Sequence, residues 1–529
     1  MSSIYSFYAG SHSATSCLII DGKIKSIIEE ERLNRIKAGD NYYSYPDLSS
    51  EKIETISGIK VSEADYRIVV KPSPDAYYRE LLKAPYEKCS HHDAHNYGCY
   101  FTSGFDGKVI SISHDGGGES SMSKVFLCEN GEMNQVLDGK LYSFGSLAQI
   151  WAMSTIFLNY KGGYEKMWKM CKDEGKLMGM APEGRHDENI YKMLSSLVTY
   201  REMFFGGAAT NWKTRFLMRE MARKGYFDTQ EQKEIFAFNL QKFTEDIFLK
   251  FLNDLHTLYP SHTKLCLSGG LFANVKLNQK INELDWVEEI FVHPAMGDEG
   301  LSLGAGIKKA KELNEISKPF KLQNSFFGLS YDDDEIFEVS KKYDFEREIY
   351  DIQNVAQKIH EGKIIGWFKG RFEYGPRALG NRSILTRATD IDSHRELNSR
   401  LKRHEIMPFA PSILKEHFDD IFFPNKSLYS AEFMTLCYQT KSEWIEKIPA
   451  VLQKTDKSAR PHVVTKENNL EYHKLISEYH KFSNIPLVLN TSFNSHNEPI
   501  IDRPEEAFES LKKGIIDELV IENYVYRNK

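Results

Sequence analysis

The segment IYSFYAGSHSATSCLIIDGKIKSII, Ile4–Ile28, contains three short runs of strand-forming residues, at 4–8, Ser16–Ile20 and Lys25–Ile28. GSHSATS and DGK separate them, and glycine, serine and aspartate accept the backbone angles that a chain reversal needs. The reading is a strand–turn–strand opening of an α/β domain whose first turn faces a ligand. His12 is the one titratable side chain in that turn. An imidazole with a pKa of about 6.5 can take a proton from a hydroxyl at neutral pH, which makes His12 a candidate base; a solvated turn histidine is the plainer alternative.

SHHDAHNYGCYF, Ser90–Phe101, suits a helix, on which His91 and His95 leave one face about one turn apart. That spacing places two imidazoles on one metal in the HExxH motif, although here Asp93 and Ala94 lie between them and the metalloprotease glutamate is missing. Two glycine-rich turns could add carboxylates. KVISISHDGGGESS (Lys108–Ser121) reads as a strand ending in Asp115, Gly116, Gly117 and Gly118, where glycine permits close backbone approach. EIFVHPAMGDEGLSLGAG sets Asp298 in a turn ahead of Gly300 and Gly304. Asp115 and Asp298 are the third and fourth candidate ligands, a set that suits iron(II), manganese or zinc without choosing among them. Between these turns, KLCLSGGLFANVKLNQ (Lys264–Gln279) reads as an apolar strand, a Gly269–Gly270 turn and a helix beginning near Leu271, whose first amides would seat a phosphate or nucleotide.

The remaining chain carries less chemistry until its last third. EEERLNRIKAGD (Glu29–Asp40) reads as a solvated helix with acid–base pairs four apart, and Arg32, Arg35 and Lys37 would matter only if it curled over an anion. Residues 143–260 read as largely helical, including FFGGAATNWKTRFLMREMARKG, with GKLMGMAPEG (Gly175–Gly184) as a loop closing on a ligand around Lys176. Lys311–Asp334 is the least periodic stretch, so a linker is placed at 321–340 between domains at 1–320 and 341–529. KIIGWF then leads into KGRFEYGPRALGNRSIL (Lys369–Leu385), which crowds Arg371, Arg377 and Arg382 among glycines. Such a cluster calls for an anion, and guanidinium forks match phosphate oxygens. Lys402, Arg403 and His404 precede MPFAPSIL, Arg460 lies in SARPHVV, and IPLVLNTSFN ends in Asn490, Thr491, Ser492 and Asn494. Together they read as a set of donors for a phosphate-bearing small molecule.

A length of 529 residues implies two or three domains. A net charge of -7 gives no electrostatic footprint for nucleic acid. The seven cysteines are scattered with no CxxC pair, against a disulfide framework or thiolate zinc site and in keeping with a reducing cytoplasm. No charged leader with an apolar run and no eighteen-residue apolar stretch occurs, so the expectation is a cytoplasmic protein, neither secreted nor membrane-spanning.

Taken in order, HHDAH, HDGGGE, SGGLFANVKLN, GDEGLSLGAG, GRFEYGPRALGNRSIL, MPFAPSIL and NTSFN resemble the O-carbamoyltransferases of the nodulation-factor and antibiotic-tailoring (NodU/CmcH) type over nearly the whole chain. The resemblance implies an actin-like (ASKHA) amino-terminal domain similar to the metalloprotein that threonylcarbamoylates transfer RNA, and an α/β YrdC-like carboxyl-terminal domain. It implies that carbamoyl phosphate and ATP, with Mg2+, form carbamoyl-AMP in the second domain, and that the first transfers the carbamoyl group to a hydroxyl of a sugar-containing or natural-product acceptor. By position, His91, His95, Asp115 and Asp298 match the family's metal ligands, iron in family members. His12 matches its acceptor-deprotonating histidine. Gly117, Gly118, Gly269, Gly270 and Asn274 match nucleotide turns, and Arg377, Arg382, Lys402, Arg460, Ser492 and Asn494 fall in the carbamoyl phosphate and ATP motifs. The expected partners are these small molecules, with no nucleic acid or membrane and with a homodimer left open. Three positions depart from the family: Ser13 replaces an aspartate, Lys402–Met407 differs from KxREPFR, and His462 replaces a common glutamine. The alternatives are transfer-RNA threonylcarbamoylation by fused domains and a degenerate nucleotide- and metal-binding non-enzyme.

Overall fold

The computed structural model describes residues 2–10, 12–37, 46–70, 84–140, 145–158, 174–207, 210–402, 408–495 and 498–529. Arg403, His404 and Cys171 lie outside them. The chain forms two compact units: Met1–Lys23, Asp40–Pro46 and Gly58–Lys321 make the first, and Ile24–Gly39, Asp47–Ser57 and Leu322–Lys529 the second.

The opening strands are β1 (Ser3–Tyr8), β2 (Thr15–Ile20) and β3 (Lys23–Glu29), followed by β4 (Tyr66–Val70) and β5 (Glu87–Cys89). In the first unit β1 pairs antiparallel with β2 and parallel with β4, which pairs parallel with β5. The same scheme recurs downstream. Strands β6 (Lys108–His114), β7 (Ser121–Glu129) and β8 (Glu132–Lys140) form an antiparallel meander. After a small ribbon of β9 (Thr199–Arg201) and β10 (Phe204–Gly206), β11 (Lys264–Ser268) pairs parallel with β6, and β12 (Glu289–Val292) parallel with β11. A hairpin followed by two parallel strands, used twice, is the actin-like arrangement expected from the opening segment.

Helix His91–Thr102 follows β5, and helix Leu301–Glu312 follows a 3-10 turn, Asp298–Gly300, beyond β12. The two cross at glycines. A Cβ on Gly98 would lie 3.1 Å from Gly304 Cα, and one on Gly304 would run into the Ala94 carbonyl. Glycine inside a helix costs about 1 kcal/mol relative to alanine, so the sequence gives up helix propensity here for close approach.

The second unit is built on β13 (Phe345–Ile349), β14 (Ile365–Phe368), β15 (Arg382–Thr386), β16 (Ala410–Leu414), β17 (Phe422–Phe423), β18 (Tyr438–Thr440), β19 (Ser458–Ala459), β20 (His462–Val464), β21 (Leu487–Ser492), β22 (Glu518–Ile521) and β23 (Tyr524–Asn528). Eight of these form one mixed sheet in the order β13-β23-β22-β14-β15-β21-β16-β20, and β17, β18 and β19 form a smaller one. All side chains of β14, β15, β16 and β22 are buried, as in a sheet covered on both faces.

Several expectations change. Glu29–Asp40 is not a solvated helix: where described, it forms a short helix, Glu30–Asn34, and Glu29, Glu30 and Arg32 are buried in the second unit. Glu30 accepts from the Leu48 and Ser49 amides at the start of helix Asp47–Ser57, which accounts for the burial of a carboxylate. Gly175–Gly184 is helix Glu174–Met180 with a 3-10 turn, Ala181–Glu183, rather than a loop. Phe204–Gly206 is strand, because it finds a partner in Thr199–Arg201. Residues 321–340 include helix Asp333–Ser340, started by a capping box between Asp332 and Glu335.

Replacing Gly304 with alanine pits the methyl group against helix backbone, which cannot swing aside. Gly304→Ala should lower the unfolding free energy by about 1–3 kcal/mol despite alanine's better helix propensity, as read from denaturant titration of the full chain.

Candidate functional site

The histidine helix sorts its three imidazoles by what they touch. His92 is spent on the scaffold, Nδ1 with Ser113 Oγ at 2.9 Å and Nε2 with Ser121 O at 2.8 Å. Asp93 is held by Lys124 at 2.7 Å and Lys308 at 2.8 Å, which fixes the outer face of the helix. His91 and His95 turn inward.

Asp115 leaves the end of β6. The Gly270 amide donates to its Oδ2 at 2.6 Å, and the Gly116 amide donates to its Oδ1. Asp298 leaves the turn before Leu301–Glu312, and the Tyr8 hydroxyl donates to its Oδ2 at 2.5 Å. The result is a compact centre. His91 Nε2 lies 3.4 Å from Asp298 Oδ1, and His95 Nε2 lies 3.5 Å from Asp115 Oδ2 and 3.7 Å from Asp298 Oδ1. One ligand atom from each of the four residues falls within 4.8 Å of the others. His91 Nε2, His95 Nε2 and Asp298 Oδ1 are buried without a hydrogen-bond partner. Orphaned nitrogen and carboxylate atoms converging on one point fit a divalent cation, and this donor set suits iron, manganese or zinc.

The electrostatics agree. Burial pushes the His91 pKa down, which leaves a neutral imidazole suited to ligation. Burial would also lower His95, but the carboxylates of Asp115 and Asp298 outweigh it and push His95 up to about 9. Asp115 and Asp298 are held below the usual carboxylate range: burial opposes this, and for each the neighbouring histidines prevail.

His12 stands at the rim, with Nε2 3.7 Å from Asp298 Oδ2 and Nδ1 3.0 Å from Ser13 Oγ. Ser13 therefore faces one ring nitrogen of His12 and the Asp298 carboxylate the other. Tyr8 was absent from the sequence-derived site; as an apolar-looking strand residue it gave no signal.

The double glycine turn differs from its sequence reading. Gly269 adopts φ +96, where a Cβ would strike the His114 carbonyl, and the helix proper starts at Val275 rather than Leu271. The Gly270 amide is taken by Asp115. Asn274 caps the helix, accepting from Leu277 N at 3.0 Å and donating to Gln241 at 2.8 Å. Gly118 lies against the histidine helix, where a Cβ would meet His91 Cβ at 2.9 Å, and Gly117 adopts φ +150 beside it. In this chain these residues shape the four-residue centre.

In the second unit the crowded arginines divide. Arg371 donates to Gly328 O, Phe327 O and Lys25 O. Arg382 donates to Lys369 O at 2.9 Å and Asn381 O at 3.0 Å, with its guanidinium 3.5 Å from the centre of the Phe368 ring. Backbone carbonyls therefore supply much of the negative charge expected of a ligand. Glu373, also buried, gathers the amides of Leu379, Asn381 and Arg382 on one oxygen. Arg377 is half-buried and Lys402 is exposed at φ +54. Arg460 is half-buried with Nε unpartnered, and burial lowers its pKa. His462 hydrogen-bonds Ser412 Oγ at 3.0 Å, and burial pushes it down to about 3, so it is neutral like the glutamine it replaces.

The end of β3 and the helix that follows it supply two residues that sequence reading left in solvent. Gly375 N donates to Glu29 at 2.5 Å, and Arg32 donates to Gly375 O at 2.6 Å while pairing with Glu29 at 3.1 Å. This buried ion pair grips both polar groups of Gly375, whose φ is +103, two residues before Arg377. A charge run cannot announce such a role, because the signal lies in the tertiary partner.

Both units are α/β, and the first carries a metal-capable centre. The family model for the carbamoyltransferase amino terminus matches residues 44–307, and that for the carboxyl terminus matches residues 356–528. The chain belongs to the carbamoyltransferase family and is an enzyme of carbamoyl transfer. It is 29% identical to an uncharacterized protein of Methanocaldococcus jannaschii, over 97% of this chain and 98% of that one. It is 28% identical to nodulation protein NolNO of Sinorhizobium fredii, over 98% and 79% of the two chains, and 30% identical to nodulation protein U of Rhizobium tropici, over 61% and 56%. Similar solved structures include full-length HypF in a phosphate- and nucleotide-bound form, with TM-score 0.37 and 16% identity over 59% of this chain and 56% of that one. No described helix is long and apolar enough to cross a membrane.

The proton on His95 must leave when a cation binds. With the His95 pKa at about 9 in the free protein, metal affinity should rise about tenfold per pH unit from pH 6.5 and level off near 9. Calorimetric titration with manganese(II) at pH 6.5, 7.5 and 8.5 checks this, and a pH-independent affinity would contradict it.

Proposed function

We propose that the chain is an ATP-dependent O-carbamoyltransferase that divides two half-reactions between its units. In the second unit, carbamoyl phosphate loses its phosphate to water, and the resulting carbamate oxygen attacks the α-phosphorus of ATP. This forms carbamoyl-AMP and expels pyrophosphate. In the first unit, an acceptor hydroxyl of a sugar-containing or natural-product molecule attacks the carbamoyl carbon, and AMP leaves.

The observation that carries the reading is the convergence of orphaned ligand atoms on His91, His95 and Asp298 beside Asp115, with His12 at the rim. A bound divalent cation, iron(II) by the family pattern, would supply Lewis acidity to the carbamoyl oxygen or hold the AMP phosphate. His12 takes the acceptor's proton on Nε2, and Asp298 steadies the imidazolium that results. Tyr8 keeps Asp298 Oδ2 in place, which leaves Oδ1 directed at His91 and His95. For the adenylating half, Arg377 and Arg460 are the cations assigned to phosphate. Arg382 and the Glu29–Arg32 pair shape the loop that carries Arg377.

Pyrophosphate release from ATP, with and without carbamoyl phosphate, tests the division. Asp298→Ala should lose metal yet keep carbamoyl-phosphate-dependent release. Arg377→Ala and Arg460→Ala should keep metal and lose release by roughly 100-fold or more. Equal loss of release in all three would refute two separate sites.

A further inference from the structure

Helix Thr210–Arg223 presents two unlike faces. Thr214, Met218 and Met221, four and three residues apart, are buried. That stripe packs on helix Leu147–Leu158, with Ser154 Oγ 4.0 Å from Met218 Sδ and Arg215 Nε 3.3 Å from Met153 Sδ. The opposite stripe is Trp212, Phe216, Arg219 and Arg223, which follow one another at helical spacing and are all exposed. Trp212 is 76% and Phe216 70% exposed, whereas the next tryptophan or phenylalanine among the described residues, Phe423, is 47% exposed. A single exposed apolar side chain is ordinary. Two large aromatics on successive turns of one helix make a contiguous apolar patch, and such a patch marks a docking surface.

The charges around the patch say what kind of partner fits. Lys213, Arg215, Arg219, Arg223 and Lys224 surround the two rings, and Glu220, the one acid in residues 212–224, pairs with Arg223 at 2.9 Å. The Arg215 guanidinium lies 6.0 Å from the centre of the Trp212 ring. This cationic face sits on a chain of net charge -7, against the sign of the whole molecule. Aromatic rings settle at the headgroup level of a bilayer, and lysine and arginine beside them attract anionic lipid. A single-stranded nucleic acid also takes aromatic and basic side chains, but in a groove that tracks its backbone. These side chains stand on the convex outer side of one helix. The expectation of no membrane partner came from net charge and from the lack of a spanning segment, and neither registers a single helix face.

We infer that the Trp212–Phe216 face of helix Thr210–Arg223 docks the first unit on an anionic lipid bilayer, with both rings at headgroup depth and Lys213, Arg215, Arg219 and Lys224 on lipid phosphates. The helix beneath it leads to the four-residue centre. Ser146 Oγ, just before helix Leu147–Leu158, donates to Asp115 O at 2.6 Å, and Gln149 Nε2 in its first turn donates to Gly116 O at 2.7 Å. The docking face is thus tied through one neighbouring helix to the turn that bears Asp115, and an acceptor held in the same membrane is brought to this unit. The inference stands apart from the adenylation reading of the second unit.

Co-sedimentation of the full-length chain with vesicles of phosphatidylcholine alone, and with phosphatidylglycerol added, tests this. Wild type should partition onto the anionic vesicles about tenfold or more above the neutral ones, and should lose most of that gain at about 0.5 M salt. Trp212→Ser combined with Phe216→Ser should cut anionic partitioning about tenfold or more, with the thermal midpoint kept within about 2 °C. Arg219→Gln combined with Lys224→Gln should weaken it by about tenfold and flatten the salt dependence. Lipids with brominated acyl chains should quench part of the tryptophan fluorescence of wild type and less in Trp212→Phe. Should the serine variant fail to fold, the glutamine variant and the quenching decide. Anionic partitioning no better than neutral, or unchanged by the serine variant, would overturn the inference. So would polyuridylate binding tighter than vesicle binding and lost in that variant, which would assign the face to nucleic acid.

Discussion

The close crossing of helices His91–Thr102 and Leu301–Glu312 at Gly98 and Gly304 is the constraint on which the first unit depends. It brings two imidazoles on one helix within ligand distance of a carboxylate at the start of the other. The centre then stores charge. In the free protein two ionised aspartates share one protonated histidine, His95, and Tyr8 donates to the outer oxygen of Asp298. A divalent cation in place of that single proton brings the local balance from net negative to neutral. The geometry is therefore held by hydrogen bonds before any metal arrives, as expected of a preorganised site.

The second unit handles buried charge differently. Its arginines are satisfied largely by backbone carbonyls: Arg32 by Gly375, Arg371 by Gly328, Phe327 and Lys25, and Arg382 by Lys369 and Asn381. These contacts hold a glycine-rich loop in one shape. Removing one partner of the Glu29–Arg32 pair would strand a buried charge, which ties the loop's conformation to a segment far away in sequence. The half-buried Arg377 and Arg460 are the cations this leaves to the proposed phosphate site.

Much of this was legible in the sequence wherever the signal is local. Strand runs bounded by glycine and aspartate placed β1, β2, β6, β11, β14 and β21 within a residue or two, and the resemblance carried by the ordered motifs implied the actin-like class. His91, His95, Asp115 and Asp298 could be picked out because each sits at a helical spacing or a glycine-marked strand end, and the structure brings these four side chains together. The misreadings share a cause. The charges of Glu29–Arg35 look solvated until Gly375, Pro499 and Ile500 supply partners. The Gly270 amide looks like a phosphate seat until Asp115 fills it, and crowded arginines look like an anion site until main-chain oxygens account for most of them. Tertiary hydrogen-bond partners leave no periodicity behind.

Anomalous diffraction from crystals of the full-length chain grown with manganese(II) tests the central claim most directly. The account predicts one strong peak in the first unit, bonded to His91 Nε2, His95 Nε2, Asp115 and Asp298 at roughly 2.0–2.3 Å. A peak elsewhere, with these four side chains empty and unmoved, would contradict it.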